Sequence, residues 1–423
     1  MAAVFVDGPL VWAAGFLYIA YDTWLLFFVA ARTGDCRRPA PAPAPHARPS
    51  VAALVAARNE ASVLPKCLAA LAAQTSPFDE ILVVDDGSTD GTAEVLRAAS
   101  GIGVLSKEHT GKADSLNRAF RTLTSDVVVT IDADTLLEPG AAAAVRAAFA
   151  EEPALAAACG ILTPQCRPRA LGRVFEAFQE FEYIRAFLAR QAWMNEGTLL
   201  LVSGAFAAYR RDVLLELGGY DPLSYVEDYD LIHRLHRHAY DAGLAMEVRL
   251  LPAARATTDA PATLRALLKQ RMRWFGGFLQ TQFKYRDMVG NRRYGALGTV
   301  MLPVKSVDTL QPIYGLVAFA TLLSLLVSGK GVHGAILWVI AAKLVLDLAF
   351  HFWFVILYHR WQGLPFQGWK LARSALITLA EPVTFQLARH TGALLGWLSF
   401  LSGANEWTPQ REGDPSAASG RKA

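Results

Sequence analysis

Three kinds of hydrophobic patterning follow one another along the chain. Residues 9–31 are apolar almost without a break, with Tyr18, Tyr21, Asp22 and Thr23 as the main polar interruptions. At ~1.5 Å per helical residue, such a segment can cross a hydrocarbon layer of roughly 30 Å. A cleaved leader is the rival reading, but it needs a basic start and a shorter apolar core. No basic side chain precedes this segment, whereas Arg32, Arg37, Arg38 and Arg48 follow it. The excess of positive charge after the segment places residue 1 outside and residue 49 in the cytoplasm. Residues 32–49 read as a linker, because the run PAPAPAPHARP over 39–49 is extended and semi-rigid.

From 50 to 258 the pattern changes to short apolar runs that end in polar residues. Runs 51–56, 80–84 and 126–131 predict buried parallel strands, and 62–74 and 92–99 predict helices. Strands alternating with helices imply an α/β, Rossmann-like, doubly wound sheet that binds ligands beyond its strand carboxyl ends. After 258 the character changes again. Residues 262–285 mix basic, aromatic and apolar side chains, which suits helices at a membrane surface within an interfacial region 259–302. Residues 310–327 and 335–358 are long enough to span. Residues 375–401 contain Glu381, Pro382, Arg389 and His390 and predict a broken or re-entrant helix. The region 303–405 thus carries two or three spans, and 406–423 is a small, polar tail expected to be disordered.

Composition supports this division. Hydrophobic residues make up 53% of the chain and charged residues 19%, against about 25% charged in an ordinary soluble domain. A formal charge of +3 is too small to argue for a nucleic-acid partner. Cys36, Cys67, Cys159 and Cys166 include no C-x-x-C pair and no dense disulfide framework, which fits reduced thiols in a cytosolic compartment.

Candidate chemistry gathers at the strand ends. Asp85-Asp86-Gly87-Ser88-Thr89-Asp90-Gly91 follows one strand and opens a helix. Its carboxylates can accept hydrogen bonds from a base and ribose, or simply cap the helix. Asp132-Ala133-Asp134 leaves the strand 126–131, where two carboxylates two residues apart can share Mg²⁺ or Mn²⁺, or mark a turn. Glu227-Asp228-Tyr229-Asp230 is an acidic cluster whose mutual repulsion raises carboxylate pKa values, as a general base requires. It equally suits a helix start. In Gln270-Arg271-Met272-Arg273-Trp274, Arg273 can pair with a diphosphate and Trp274 offers a flat face to a sugar. A membrane-surface helix would use the same residues as anchors.

Taken in order, Asp85-Asp86, Asp132-x-Asp134, Glu227-Asp228 and Gln270-x-x-Arg273-Trp274 resemble the family 2 glycosyltransferases of the polysaccharide-synthase type, which include cellulose, hyaluronan, chitin and poly-N-acetylglucosamine synthases. The resemblance covers about 50–300. It extends to Arg58-Asn59-Glu60, to His109-Thr110-Gly111-Lys112-Ala113 with Leu116-Asn117, to Ser203-Gly204-Ala205 and to Gly218-Gly219-Tyr220-Asp221. It implies a GT-A-like domain. Arg58, Glu60, Asp85, Asp86 and Lys112 would hold the nucleotide of a UDP-sugar. Asp134 would bind Mg²⁺ or Mn²⁺, with Asp132 also at the metal but nearer the donor. Asp228, beside Glu227, would be the base, and Gln270, Arg273 and Trp274 would close the site. It further implies inversion at the anomeric carbon, a β-linked glycan product and a multi-pass plasma-membrane protein with its catalytic domain in the cytoplasm. The sequence departs from the family at Ala56, where proline is usual, at Val226, where threonine is frequent, and in the small size of its membrane portion.

Two rival functions remain at this level. One is transfer of a single sugar to a membrane lipid, as in ceramide glucosyltransferases, with a glycolipid rather than a glycan as acceptor. The other is an inactive sugar-nucleotide sensor or assembly subunit, against which the intact Asp132, Asp134 and Asp228 argue. Lys343 and Asp347 share a helix face inside an apolar span, as a functional site or a neutralised pair. Glu381, Arg389 and His390 line an acceptor path or lie at the interface. His233, His236 and His238, interleaved with Arg234 and Arg237, are expected on a solvated helix face.

Overall fold

The computed structural model describes residues 9–34, 36, 48–167, 171–327 and 334–403. The proline-alanine linker lies largely outside the described residues, and the tail 406–423 wholly so. The α/β region carries strands β1 (Val51–Ala57), β2 (Glu80–Asp86), β3 (Gly103–Lys107), β4 (Val127–Asp132), β5 (Thr135–Leu137), β6 (Leu155–Cys166), β7 (Phe206–Arg210) and β8 (Glu247–Ala260). They form one 8-stranded sheet in the order β3-β2-β1-β4-β7-β6-β8-β5.

Strands β3, β2, β1 and β4 are parallel to their neighbours. The side chains of β1, β2 and β4 are mostly apolar on both faces, and Val51 to Val55, Val83, Val84 and Val127 to Val129 are fully buried, whereas β3 is a part-exposed edge strand. Continuous apolar runs of this kind are what a sheet covered by helices on both sides requires. The second half departs from the expected doubly wound pattern: β7 is antiparallel to both β4 and β6, β6 and β8 are parallel, and β5 is antiparallel to β8. Residues 199–205 lead directly into β7, which enters the sheet beside the exit of β4. Entry and exit therefore meet, with Ile131 opposite Phe206 and the Asp132 amide donating to the Ala205 carbonyl at 3.3 Å.

Three helical segments, Ala13–Thr33, Leu297–Leu325 and Leu337–Gln362, are long and apolar enough to cross a membrane. Phe16 and Trp338, at 75% and 78% exposed, point away from the protein as lipid-facing side chains do. The second segment begins earlier than its hydropathy predicts because a π-helical turn, Leu297–Met301, runs straight into the helix Leu302–Val327. The region 375–401 is broken, as its sequence predicts. Helix Trp369–Ala380 gives way to the 3-10 turn Glu381–Val383 around Pro382, and helix Phe385–Leu401 follows. Lys343 pairs with Asp347 and also, at 2.6 Å, with Asp22 on the first helix, so the expected pair is a triad joining two helices.

Helix Leu264–Lys284 packs closely against Phe385–Leu401 through glycines. A Cβ on Gly396 would lie 2.2 Å from the Met272 carbonyl oxygen, and one on Gly276 would lie 2.9 Å from the Gly396 carbonyl oxygen. Only hydrogen fits between these backbones. Gly396→Val must push the helices apart and is expected to destabilise the protein by roughly 1–3 kcal/mol. Thermal unfolding in detergent measures this, and an unchanged melting temperature would show that the helices separate without cost.

Candidate active site

The exits of β1 and β2 are tied to each other by short side chains. Asn59 takes a left-handed conformation (φ 58°), which asparagine tolerates better than most residues. Its amide donates to Ser88 Oγ at 3.0 Å, and its Oδ1 accepts from the Thr89 amide at 2.8 Å. The Glu60 amide donates to Thr92 Oγ1 at 2.8 Å. Asp90 accepts from the Thr92 amide at 2.9 Å and so serves the start of the helix Thr92–Ala98. Arg58 Nε is buried and has no hydrogen-bond partner among the described residues.

Asp85 and Asp86 are both buried, but their surroundings differ. Asp85 accepts from the Ser88 amide at 3.0 Å. Asp86 accepts from the Thr110 amide at 3.0 Å and the Gly111 amide at 2.9 Å, contacts His109 Nδ1 at 2.8 Å and is bonded by Lys107. Burial works against its charge, but Lys107, the Thr110 amide and His109 more than offset this and hold the carboxyl down to about 2. Four contacts occupy the acceptor positions of a carboxylate. Asp86 therefore fixes the 109–111 loop that leads into Lys112. Gly87 (φ 69°) makes this approach possible, since a Cβ there would sit 2.8 Å from the His109 nitrogen.

Lys112 joins two motifs that are far apart in sequence. Its Nζ lies 2.6 Å from Asp132 Oδ1 and 3.2 Å from Glu227 Oε1. Burial opposes its charge, yet Asp132, Glu227 and Asp228 together raise its pKa above the ordinary lysine value. On the same helix as Lys112, Asn117 anchors the Gly218-Gly219-Tyr220 turn through both ends of its amide, to the Tyr220 carbonyl at 2.8 Å and from the Tyr220 amide at 2.7 Å.

The acidic cluster opens helix Glu227–Ala242. Asp228 accepts from the Gly204 amide at 2.6 Å and the Tyr229 amide at 2.8 Å. Burial and the neighbouring Glu227 push its carboxyl above the usual range. Glu227 is shifted the other way: burial opposes its charge, but Lys112 and Arg273 hold it ionised. Asp230 is drawn into a structural cluster with Lys284 at 2.6 Å, Arg234 at 3.0 Å and the Tyr285 hydroxyl at 3.0 Å. The histidines that follow are not on a solvated face. His233 and His236 are buried, contacting the Tyr229 carbonyl at 2.8 Å and the Leu199 carbonyl at 2.9 Å, and burial lowers His233 to about 4. Only His238 is part-exposed, beside Glu216 at 2.9 Å. Side-chain type misleads here, because a neutral imidazole bonded to a carbonyl is at home in a core.

Gln270 is buried with its Oε1 lacking a partner among the described residues, as does the Nε of Arg273. Gly277 lets this helix approach the acidic motif, since a Cβ there would sit 2.6 Å from Val226 Cγ2. Trp274 packs on the core, with the Arg271 guanidinium 4.4 Å from its ring. Arg271, 2% exposed, pairs with Glu182 at 2.5 Å. Neither Glu182 nor Lys107 stands in a motif, and only their charge within half-apolar segments marked them.

The residues at the exit of β4 suit a hard divalent cation. Asp132 and Asp134 supply carboxylate oxygens. Burial, Asp132 and then Asp259 at the end of β8 push Asp134 up to about 7, so negative charge is concentrated where a cation would relieve it. Among the described residues no third histidine, cysteine, aspartate or glutamate completes a closed metal cluster. An ion held by two carboxylates would take its other ligands from substrate phosphate and water.

Comparison with known proteins now fits this geometry. Residues 48–277 match the family described as glycosyltransferase like family 2. Poly-β-1,6-N-acetyl-D-glucosamine synthase of Staphylococcus aureus (strain COL) is 28% identical over 231 residues, 53% of this chain and 53% of that protein. The synthase of the same name from Staphylococcus epidermidis is 25% identical over 283 residues, 64% of each. The chain thus spans only about half to two thirds of the length of the curated relatives it matches. Among solved structures, a mannosyltransferase from Pyrobaculum calidifontis, in complex with GDP-Man and Mn²⁺, superposes with a TM-score of 0.55 at 22% identity, over 86% of this chain and 99% of that one. That likeness concerns the fold, a GT-A-like α/β domain with long apolar helices. The chain belongs to glycosyltransferase-like family 2, as a distant relative of poly-β-1,6-N-acetyl-D-glucosamine synthase.

Proposed function

We propose that this glycosyltransferase inverts configuration, takes a UDP-sugar as donor and extends a β-linked glycan at the cytoplasmic face of the plasma membrane. The observation that carries the reading is Lys112, whose ammonium is within 2.6 Å of Asp132 and 3.2 Å of Glu227. It ties the donor-side carboxylates to the acidic motif that holds the candidate base. Arg58, Glu60 and Asp85 line the nucleotide end, and Asp86 acts there through the 109–111 loop it anchors. Asp132 and Asp134 would hold Mg²⁺ or Mn²⁺, which when bound offsets the charge of the diphosphate leaving group. Arg273, whose buried Nε has no partner among the described residues, would pair with the same phosphate, while Gln270 and Trp274 would close the site over the sugars.

Asp228 takes the proton of the acceptor hydroxyl. The resulting oxygen attacks the anomeric carbon as the bond to the diphosphate breaks, so an α-linked donor gives a β-linked product. Two backbone amides fix the Asp228 carboxylate, and its raised pKa makes it a better base than an exposed aspartate. The cytoplasmic placement rests on Arg32 and Arg48 following the first apolar helix.

Asp228→Asn is expected to lower sugar transfer by roughly a hundred- to ten-thousand-fold. The assay uses purified protein in lipid with labelled UDP-sugars and Mn²⁺ or Mg²⁺. Full retained activity sinks the proposed base. Mass analysis of the wild-type product is expected to show a ladder of lengths, and a single glycolipid would replace the polymer reading. The pH profile gives a separate check. The base must be ionised, so a raised pKa places the acid limb of kcat above the ordinary carboxylate range. Glu227→Gln removes the repulsion that helps raise it, and the acid limb should move to lower pH. A limb that stays in place assigns that titration to another group.

A further inference from the structure

We infer that Glu182 is a positioning residue for Trp274, acting through Arg271, and that it sets how the closing helix meets the acceptor. The inference rests on the reading of Trp274 as an acceptor platform. Helix Gly172–Asn195 lies outside every recognised motif, yet it presents three charged side chains to four elements further along the chain. Glu180 pairs with Arg373 on helix Trp369–Ala380 at 2.5 Å. Arg185 pairs with Glu381 at the helix break. Glu182 is shared: its Oε2 lies 2.5 Å from Arg271 Nη2, and its Oε1 lies 3.4 Å from Arg389 Nη1 on helix Phe385–Leu401.

The Arg271 pairing differs from the other two in what it touches next. Its guanidinium sits 4.4 Å from the centre of the Trp274 ring, one helical turn along the same helix. The base of the Arg271 side chain is packed against helix Phe385–Leu401, because a Cβ on Gly392 would lie 2.7 Å from Arg271 Cβ, and the whole residue is 2% exposed. Held by Glu182 on one side and by the glycine face of helix Phe385–Leu401 on the other, the guanidinium forms a fixed plane behind the indole. The Trp274 orientation is then set by a carboxylate from the catalytic domain and a helix from the membrane portion together. A stacked arginine is not replaced by a lone hydrophobic contact, since both the planar face and the charge are lost.

The test uses full-length protein in lipid nanodiscs, with UDP-N-acetylglucosamine as donor and a β-linked N-acetylglucosamine tetrasaccharide as acceptor. Glu182→Gln alone leaves a buried guanidinium without its carboxylate and risks misfolding. The deciding protein is therefore the double variant Glu182→Gln with Arg271→Met, which removes both charges. Its acceptor KM is expected to rise about tenfold while its donor KM stays within about twofold of wild type. Acrylamide quenching of the Trp274 fluorescence, taken as the difference from the same protein carrying Trp274→Phe, is expected to increase. Glu180→Gln, which breaks the neighbouring pair, should leave all three readouts unchanged. Wild-type quenching in the double variant overturns the positioning role. Trp274→Ala separates the two layers: an unchanged acceptor KM there removes the platform reading, while the quenching result still decides what holds the ring.

Discussion

The site depends on one half-buried cation shared by carboxylates from two parts of the chain. Lys112 starts a short helix after β3, yet its ammonium reaches Asp132 at the end of β4 and Glu227 at the start of the acidic helix. Without it, Asp132, Glu227 and Asp228 would place like charges together in a partly desolvated cleft. With it, Glu227 remains ionised, whereas Asp228 stays raised by burial and by Glu227 although Lys112 draws it down too. Adjacent carboxylates thus acquire opposite tendencies, because the ammonium outweighs burial at one and not at the other.

The surrounding structure keeps that arrangement in place with backbone amides and glycines. Asp86 holds the loop before Lys112, Gly204 holds Asp228, and Asn117 holds the Gly219-Tyr220 turn. Each contact joins segments that enter the sheet at different points, and each needs a close approach that a larger residue at Gly87, Gly204 or Gly219 would obstruct. The glycines recognised as family signature are therefore explained by geometry, as places where a loop comes against a carboxylate or an amide.

The catalytic domain and the apolar helices are likewise joined by charge. Helix Gly172–Asn195 carries Glu180, Glu182 and Arg185 to partners on four later elements, and Phe178 stacks on Phe385 at 5.3 Å. Part-buried pairs of this kind require accurate placement, because a carboxylate or guanidinium left alone in a desolvated contact is costly. They fix the relative position of the two regions more tightly than apolar contact alone, which tolerates sliding.

The sequence by itself determined the division into apolar helices and an α/β domain, three of the four parallel strands, and the acidic residues at their ends; the part-exposed edge strand β3 lacks the apolar run that would mark it. Those features follow from local period and composition: Val51–Ala57 and Val127–Asp132 are apolar on both faces, and Pro382 breaks its helix wherever it is placed. Only the tertiary structure decided the rest. The antiparallel entry of β7, the burial of His233 and His236, the loop-holding role of Asp86 and the Glu182–Arg271 pair all join residues distant in sequence. No local pattern encodes such a meeting, because a charged or polar side chain reads alike whether water or a partner across the fold will satisfy it.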